Sequence, residues 1–205
     1  MTRKLKLGIL ASTSGTDLQA IINAIESVEL NAEISVVISN KEDAYALERA
    51  RNHKIFAVFI DPSEKTREEF DRAASKELDA CGVELILLIG YMRYMSPWFV
   101  QKYKNKIMNV HPSLLPAFAG GMDMNVHKEI LDWGCKVSGC TIHFVDEGAD
   151  TGPIIIQKAI PLIEGETVNS LRKKVQDMEG KAFVEAIRLF GMRKLNVEGR
   201  IVRIL

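Results

Sequence analysis

Over its first 110 residues the chain alternates between two hydrophobic periods, and this restricts its fold more than any other feature. Short apolar runs at residues 5–10, 34–38, 55–60, 85–89 and 107–110 suit buried strands. Between them, residues 18–28 carry Leu18, Ile21, Ile22 and Ile25 at helical spacing, and residues 45–51, 63–80 and 97–103 also read as helices. Strands that return through helical crossovers lie parallel, because the crossover is right-handed. The expected fold class is therefore α/β: a Rossmann-like, twisted, mostly parallel sheet with helices on both faces. After residue 110 the rhythm changes. Residues 111–125 are rich in Pro, Gly and Met and read as a long loop. Residues 141–145 and 154–160 read as strands joined by a turn-forming segment, residues 168–190 as a long amphipathic helix, and residues 199–205 as an edge strand. No linker, repeat or composition shift divides the chain, so one domain over residues 1–205 is expected.

Composition narrows the function classes. Lys plus Arg number 27, as do Asp plus Glu, so the net charge is zero. This leaves no electrostatic footprint for nucleic acid or an anionic membrane. No apolar run is long enough to span a bilayer, and the basic N-terminus lacks a signal-peptide core, so a cytoplasmic protein is expected. Cys81, Cys135 and Cys140 form no C-x-x-C and read as small buried hydrophobes. No metal is expected, because the four histidines do not lie at ligand spacing from them.

Ligands of open parallel sheets bind at the carboxyl ends of strands, which directs attention to the loops after the first, fourth and fifth strands. The first reads Ser12-Thr13-Ser14-Gly15-Thr16-Asp17. Its small residues before a helix N-terminus suit a phosphate, while Thr16 and Gln19 would alternatively form a capping box that needs no ligand. The Walker A and three-glycine dinucleotide patterns are both missing, which weakens an NAD-dependent dehydrogenase reading. In Asn109-Val110-His111-Pro112, Asn109 and His111 share one face of a strand end. The amide can donate to an oxyanion and the imidazole can move protons near neutral pH. Asp150, in the turn 146–153, would favour the imidazolium and raise the His111 pKa if it lay against that ring. Met92, Tyr94 and Met95, around Arg93, could wall a flat heterocycle or simply pack. Gln176 and Glu179 share a helix face, and they and Arg67 could bind a polar substrate or be plain surface residues. His53, His127 and His143 are expected to be structural or solvated.

Taken in order, several segments resemble the glycinamide ribonucleotide formyltransferases, a family of folate-dependent enzymes. They are Gly15-Thr16-x-Leu18-Gln19-Ala20-Ile21, Ser39-Asn40, Leu47-Glu48-Arg49-Ala50, Gly90-x-Met92-Arg93, Asn109-x-His111-Pro112-Ser113-Leu114-Leu115-Pro116, and His143-Phe144-Val145 before Asp150-x-Gly152-Pro153. The resemblance covers residues 5–190. It implies that Gly15, Thr16 and Asp17, with Gln176, Asp177, Met178 and Glu179, hold a phosphoribosylglycinamide. It implies a folate site of Arg67, Met92, Arg93, Tyr94, Met95, Asn109, Asp146, Glu147, Gly148, Ala149 and Asp150. The N-terminal half would serve mainly the phosphoribosyl substrate and the C-terminal half the folate. Asn109, His111 and Asp150 would be catalytic, 10-formyltetrahydrofolate the co-substrate, and the protein a monomer or homodimer acting on small molecules without metal.

Two departures stand out. Asp17 and Thr13 occupy positions where the family commonly has Asn and Gly, and a carboxylate beside a phosphate is repulsive unless it turns away. The stretch Ala119-Gly120-Gly121-Met122-Asp123-Met124-Asn125 lacks the usual Pro-Gly, and the stretch before His143 is slightly longer than in many relatives of the family it resembles. Rival readings keep the trio with another acceptor: a formyltetrahydrofolate hydrolase using water, or a transferase using charged methionyl-tRNA. Relatives of those kinds carry additional domains, so the length of this chain counts against both. A non-catalytic folate- or nucleotide-binding module is a further class, and the intact trio argues against it.

Overall fold

The strand-and-helix rhythm is realised in a computed structural model that describes residues 3–120 and 125–205. Five strands form where the first apolar runs lie: β1 (Leu5–Ala11), β2 (Ala32–Ser39), β3 (Ala57–Phe59), β4 (Leu85–Ile89) and β5 (Ile107–His111). They pair in the order β3-β2-β1-β4-β5, and every pairing is parallel. The central strands need to be apolar on both faces, since helices cover both. β4 is buried along its whole length, and Leu7, Ile9, Val36 and Val37 are fully enclosed. The crossovers are α1 (Thr16–Glu26), α2 (Tyr45–Asn52), α3 (Arg67–Ala80) and α4 (Pro97–Lys102).

Local chemistry sets the helix starts. Residues 63–80 read as one helix, yet α3 begins at Arg67. The Asp61 carboxylate accepts from the Ser63 amide at 2.9 Å and holds residues 61–63 in a turn. Thr66 and Glu69 then close a reciprocal capping box. Ser96 caps α4 through the Phe99 amide, and Pro97 supplies the first helical residue. α1 starts differently: its N-cap is Gly15 in the left-handed region, with no side-chain cap. The Thr16–Gln19 capping box is therefore absent; the Gln19 side chain instead bonds Asn23 and Arg49.

Residues cluster into two compact units, 1–109 and 110–205. In the second, β6 (Val137–Phe144) pairs antiparallel with β7 (Ile154–Pro161), which meets β9 (Ile201–Ile204) in parallel; β9 hairpins with β8 (Leu195–Glu198). α6 (Val168–Gly191) lays Leu171, Val175, Ala182, Phe183 and Ile187 on β6 and β7. Three features go beyond the sequence reading. β6 starts four residues earlier, at Val137, β8 is additional, and a short helix α5 (Val126–Asp132) follows the expected loop. Asn125 caps α5 by accepting from Lys128. Residues 121–124 of the expected loop lie outside the described residues. Cys140 is buried as expected, but Cys81 and Cys135 are only half-buried. No helix among the described residues is long and apolar enough to cross a membrane.

Candidate active site

β5 delivers Asn109 and His111 two residues apart, so their side chains leave the same face of one strand end. The chain then turns sharply, and a buried network fixes the turn. Thr141 Oγ1 donates to the Ser113 carbonyl at 2.7 Å and accepts from the Leu115 amide at 3.0 Å. Gln157 Nε2 donates to the Leu115 carbonyl at 2.9 Å. β6 and β7 thus hold the segment after His111 in place.

Asp150 reaches His111 from the turn after β6. Its Oδ2 lies 3.2 Å from His111 Nδ1 and accepts from the Gly120 amide at 3.1 Å. His143, on β6, brings Nε2 to 3.6 Å from Asp150 Oδ1, while its Nδ1 lies 2.9 Å from the Phe144 carbonyl and donates to it. One carboxylate thus lies between two buried imidazoles. Burial by itself would raise the Asp150 pKa. Hydrogen bonding to His111 and His143, the His111 charge and the Gly120 amide outweigh it and hold this carboxyl well below the usual carboxylate range. Two backbone features allow the approach. Asp150 adopts φ 55, a left-handed conformation that Asp tolerates better than most residues. Gly152 lies against β6 so closely that a Cβ would stand 1.8 Å from the Phe144 carbonyl oxygen. At the start of this turn, Asp146 Oδ1 accepts from the Gly148 amide at 3.1 Å and the Thr151 hydroxyl at 2.6 Å.

With Nδ1 committed to Asp150, His111 Nε2 is the nitrogen left for chemistry. It is buried and has no hydrogen-bond partner among the described residues. A buried ring nitrogen without a partner is costly in a purely structural histidine, which makes this atom a candidate for contact with a ligand.

The first unit brings other candidates together. The loop after β1 and the loop after β4 touch: the Ser12 amide donates to the Gly90 carbonyl at 3.1 Å, and the Met92 amide donates to Ser12 Oγ at 2.8 Å. Asp71 on α3 accepts from the Ser96 amide at 2.6 Å, and the Arg93 and Arg67 charges both act on its carboxylate. Arg93 also stacks on the Phe70 ring, 4.3 Å from its centroid. Met92 and Tyr94 are exposed, Arg93 and Met95 half-buried. Asp17 is buried in the first turn of α1, its Oδ1 has no hydrogen-bond partner among the described residues, and burial pushes its pKa up to about 7. On α6, Glu179 is buried, Gln176 and Met178 are half-buried, and Asp177 is exposed. Among the described residues no group of three or more His, Cys, Asp or Glu side chains is arranged to hold a metal ion.

The sequence reading took His143 as structural or solvated, and it gave no individual role to Gly120, Ser12 or Asp71. His143 had a usable signal: it lies on the same strand that leads into Asp150. Ser12 and Asp71 act through tertiary contacts that no local pattern encodes.

A strand-end Asn-x-His with a carboxylate on the histidine has groups suited to acyl transfer, and the chain belongs to the formyl transferase family, which matches residues 5–187. The phosphoribosylglycinamide formyltransferase of Haemophilus influenzae is 36% identical over 96% of this chain and 92% of its own length. The solved glycinamide ribonucleotide transformylase 1 of Symbiobacterium toebii shares 44% identity and a TM-score of 0.94, covering all of this chain and 96% of that one. The trifunctional purine biosynthetic protein adenosine-3 of Gallus gallus is 43% identical over 92% of this chain, which spans only 18% of that longer protein.

Proposed function

We propose that this chain transfers the formyl group of 10-formyltetrahydrofolate to the amine of glycinamide ribonucleotide, giving the formylated ribonucleotide and tetrahydrofolate, a step of de novo purine synthesis. The observation that carries the reading is the His111–Asp150 pair with Nε2 left over, two residues from Asn109. The substrate amine attacks the formyl carbon and forms the new C–N bond. The formyl oxygen becomes an oxyanion, which the Asn109 amide and the protonated His111 Nε2 stabilise. As the bond from carbon to the folate nitrogen breaks, the proton lost by the amine passes through His111 to that nitrogen. Asp150 fixes the ring with Nδ1 protonated and balances positive charge on it.

On the same reading, Gly15, Thr16 and Asp17 with Gln176 to Glu179 hold the phosphoribosyl substrate. Arg67, residues 92–95 and residues 146–150 hold the folate. The left-handed Gly15 cap in place of a side-chain cap supports the first assignment, because it leaves the α1 amides for an anion. The setting that goes with it is the cytoplasm, with a monomer or homodimer acting on small molecules.

The test is release of the deformylated folate from a 10-formyl folate analogue, followed by absorbance with and without glycinamide ribonucleotide. Release that depends on the ribonucleotide and saturates with it is expected. Release without it would make the protein a hydrolase, and none in either case would remove the reading.

A further inference from the structure

Ser12 closes β1 and is 3% exposed. Its hydroxyl is used in both directions: Oγ donates to Asn40 Oδ1 at 2.6 Å and accepts from the Met92 amide at 2.8 Å. Beside it the Ser12 amide donates to the Gly90 carbonyl. Gly90 adopts φ 54, and a Cβ there would stand 2.1 Å from Thr13 Oγ1. The loop after β1 is also tied to α2: the Ala46 amide donates to the Thr13 carbonyl at 3.2 Å, and Arg49 Nε donates to the Ser14 carbonyl at 3.3 Å. The loop after β4 is tied at its far end by the bond from the Ser96 amide to Asp71. Each loop therefore has its own outer anchor, and Ser12 is the side chain that bonds across their inner edge. All these groups lie within residues 1–109.

We propose that Ser12 is a positioning residue that couples the two substrates. This rests on the proposed function, in which the first loop takes the phosphate and the second the folate. A phosphate that favours one arrangement of residues 13–17 also favours one arrangement of Ser12, and through Oγ it biases the Met92 amide that begins the folate loop. The second ligand then meets a loop already biased toward the arrangement it binds, and binds more tightly. Linkage requires the effect to be reciprocal: the ribonucleotide tightens folate binding by the same factor as folate tightens the ribonucleotide.

The experiment uses tetrahydrofolate and glycinamide ribonucleotide, a pair that cannot react, titrated calorimetrically into the intact chain singly and together. The wild type is expected to show equal mutual tightening of about fivefold or more. Ser12→Ala is expected to bring that factor below about twofold, and Ser12→Thr, which keeps the hydroxyl, to restore it. A variant in which both single-ligand affinities fall while the factor persists would overturn the proposal, since that is what a merely structural serine does. If Ser12→Ala does not fold, Asn40→Ala decides by the same readout: loss of the factor supports the proposal and retention overturns it. A wild type that turns over the ribonucleotide yet shows no mutual tightening sinks the coupling and leaves the functional reading standing. A wild type without turnover removes both.

Discussion

Replacing Asp17 by Asn should stabilise the protein, and by an amount that grows with pH. Asp17 is 7% exposed in the first turn of α1, with Oδ1 unpartnered among the described residues. The helix dipole favours a carboxylate there by only about 0.3–1 kcal/mol. Burial opposes it and wins, lifting the pKa from 3.8 to about 7. A folded-state pKa above the unfolded one means that the folded chain holds the proton more tightly. The penalty that Asp17 imposes is then absent below pH 3.8, grows as pH rises toward 7, and levels off above. At about 1.4 kcal/mol per pH unit, the cost is a few kcal/mol at pH 8 and a minor part of that at pH 5. An amide has its own burial cost, but that cost is independent of pH and cancels between the two conditions. Urea unfolding of both proteins at pH 8 and pH 5 should show an Asp17→Asn advantage larger by roughly 2–3 kcal/mol at the higher pH. An equal effect at the two pH values, or a destabilised variant at pH 8, would refute the reasoning.

Three other perturbations follow from the same geometry. His111→Asn should lower kcat by about 10²–10⁴ while the far-ultraviolet spectrum stays near wild type, because the proton relay is lost and the strand is not. Asp150 has the opposite linkage from Asp17, with its pKa held below the ordinary carboxylate value. Its stabilising contribution is present above about pH 4 and fades only under stronger acid, so Asp150→Asn should cost about 1–3 kcal/mol at pH 7 and progressively less below pH 4. Phe183→Ala empties a fully enclosed position on α6 and should cost about 3–5 kcal/mol in chemical denaturation, with no pH dependence between 5 and 8.

The first 110 residues were legible because a two-sided parallel sheet writes itself as apolar runs, and β4 is the clearest case. β3 was less so. The run 55–60 predicts six strand residues, but only Ala57–Phe59 pair, all half-buried at the sheet edge. α5 was missed because its seven residues lie next to a Gly-rich and Met-rich loop. Asn125 followed by Val126 and Ile130, four apart, was the available cue. At the site, the meeting of His111 with Asp150 joins residues 39 apart in sequence. It depends on a left-handed Asp150 and the close approach at Gly152, and neither leaves a periodic trace. The capping box read at Thr16 shows the converse: the right residue types were present, but Gly15 took the cap position and released them.

The near contact between Gly90 and the Thr13 hydroxyl also limits how this sequence can drift. With threonine at position 13, a residue other than glycine at position 90 forces the Thr13 side chain or one of the loops to shift. A glycine at position 13 would relieve the contact with the hydroxyl, leaving the positive φ as the remaining restraint. The two positions are therefore sterically coupled, and a library that varies one should vary the other with it.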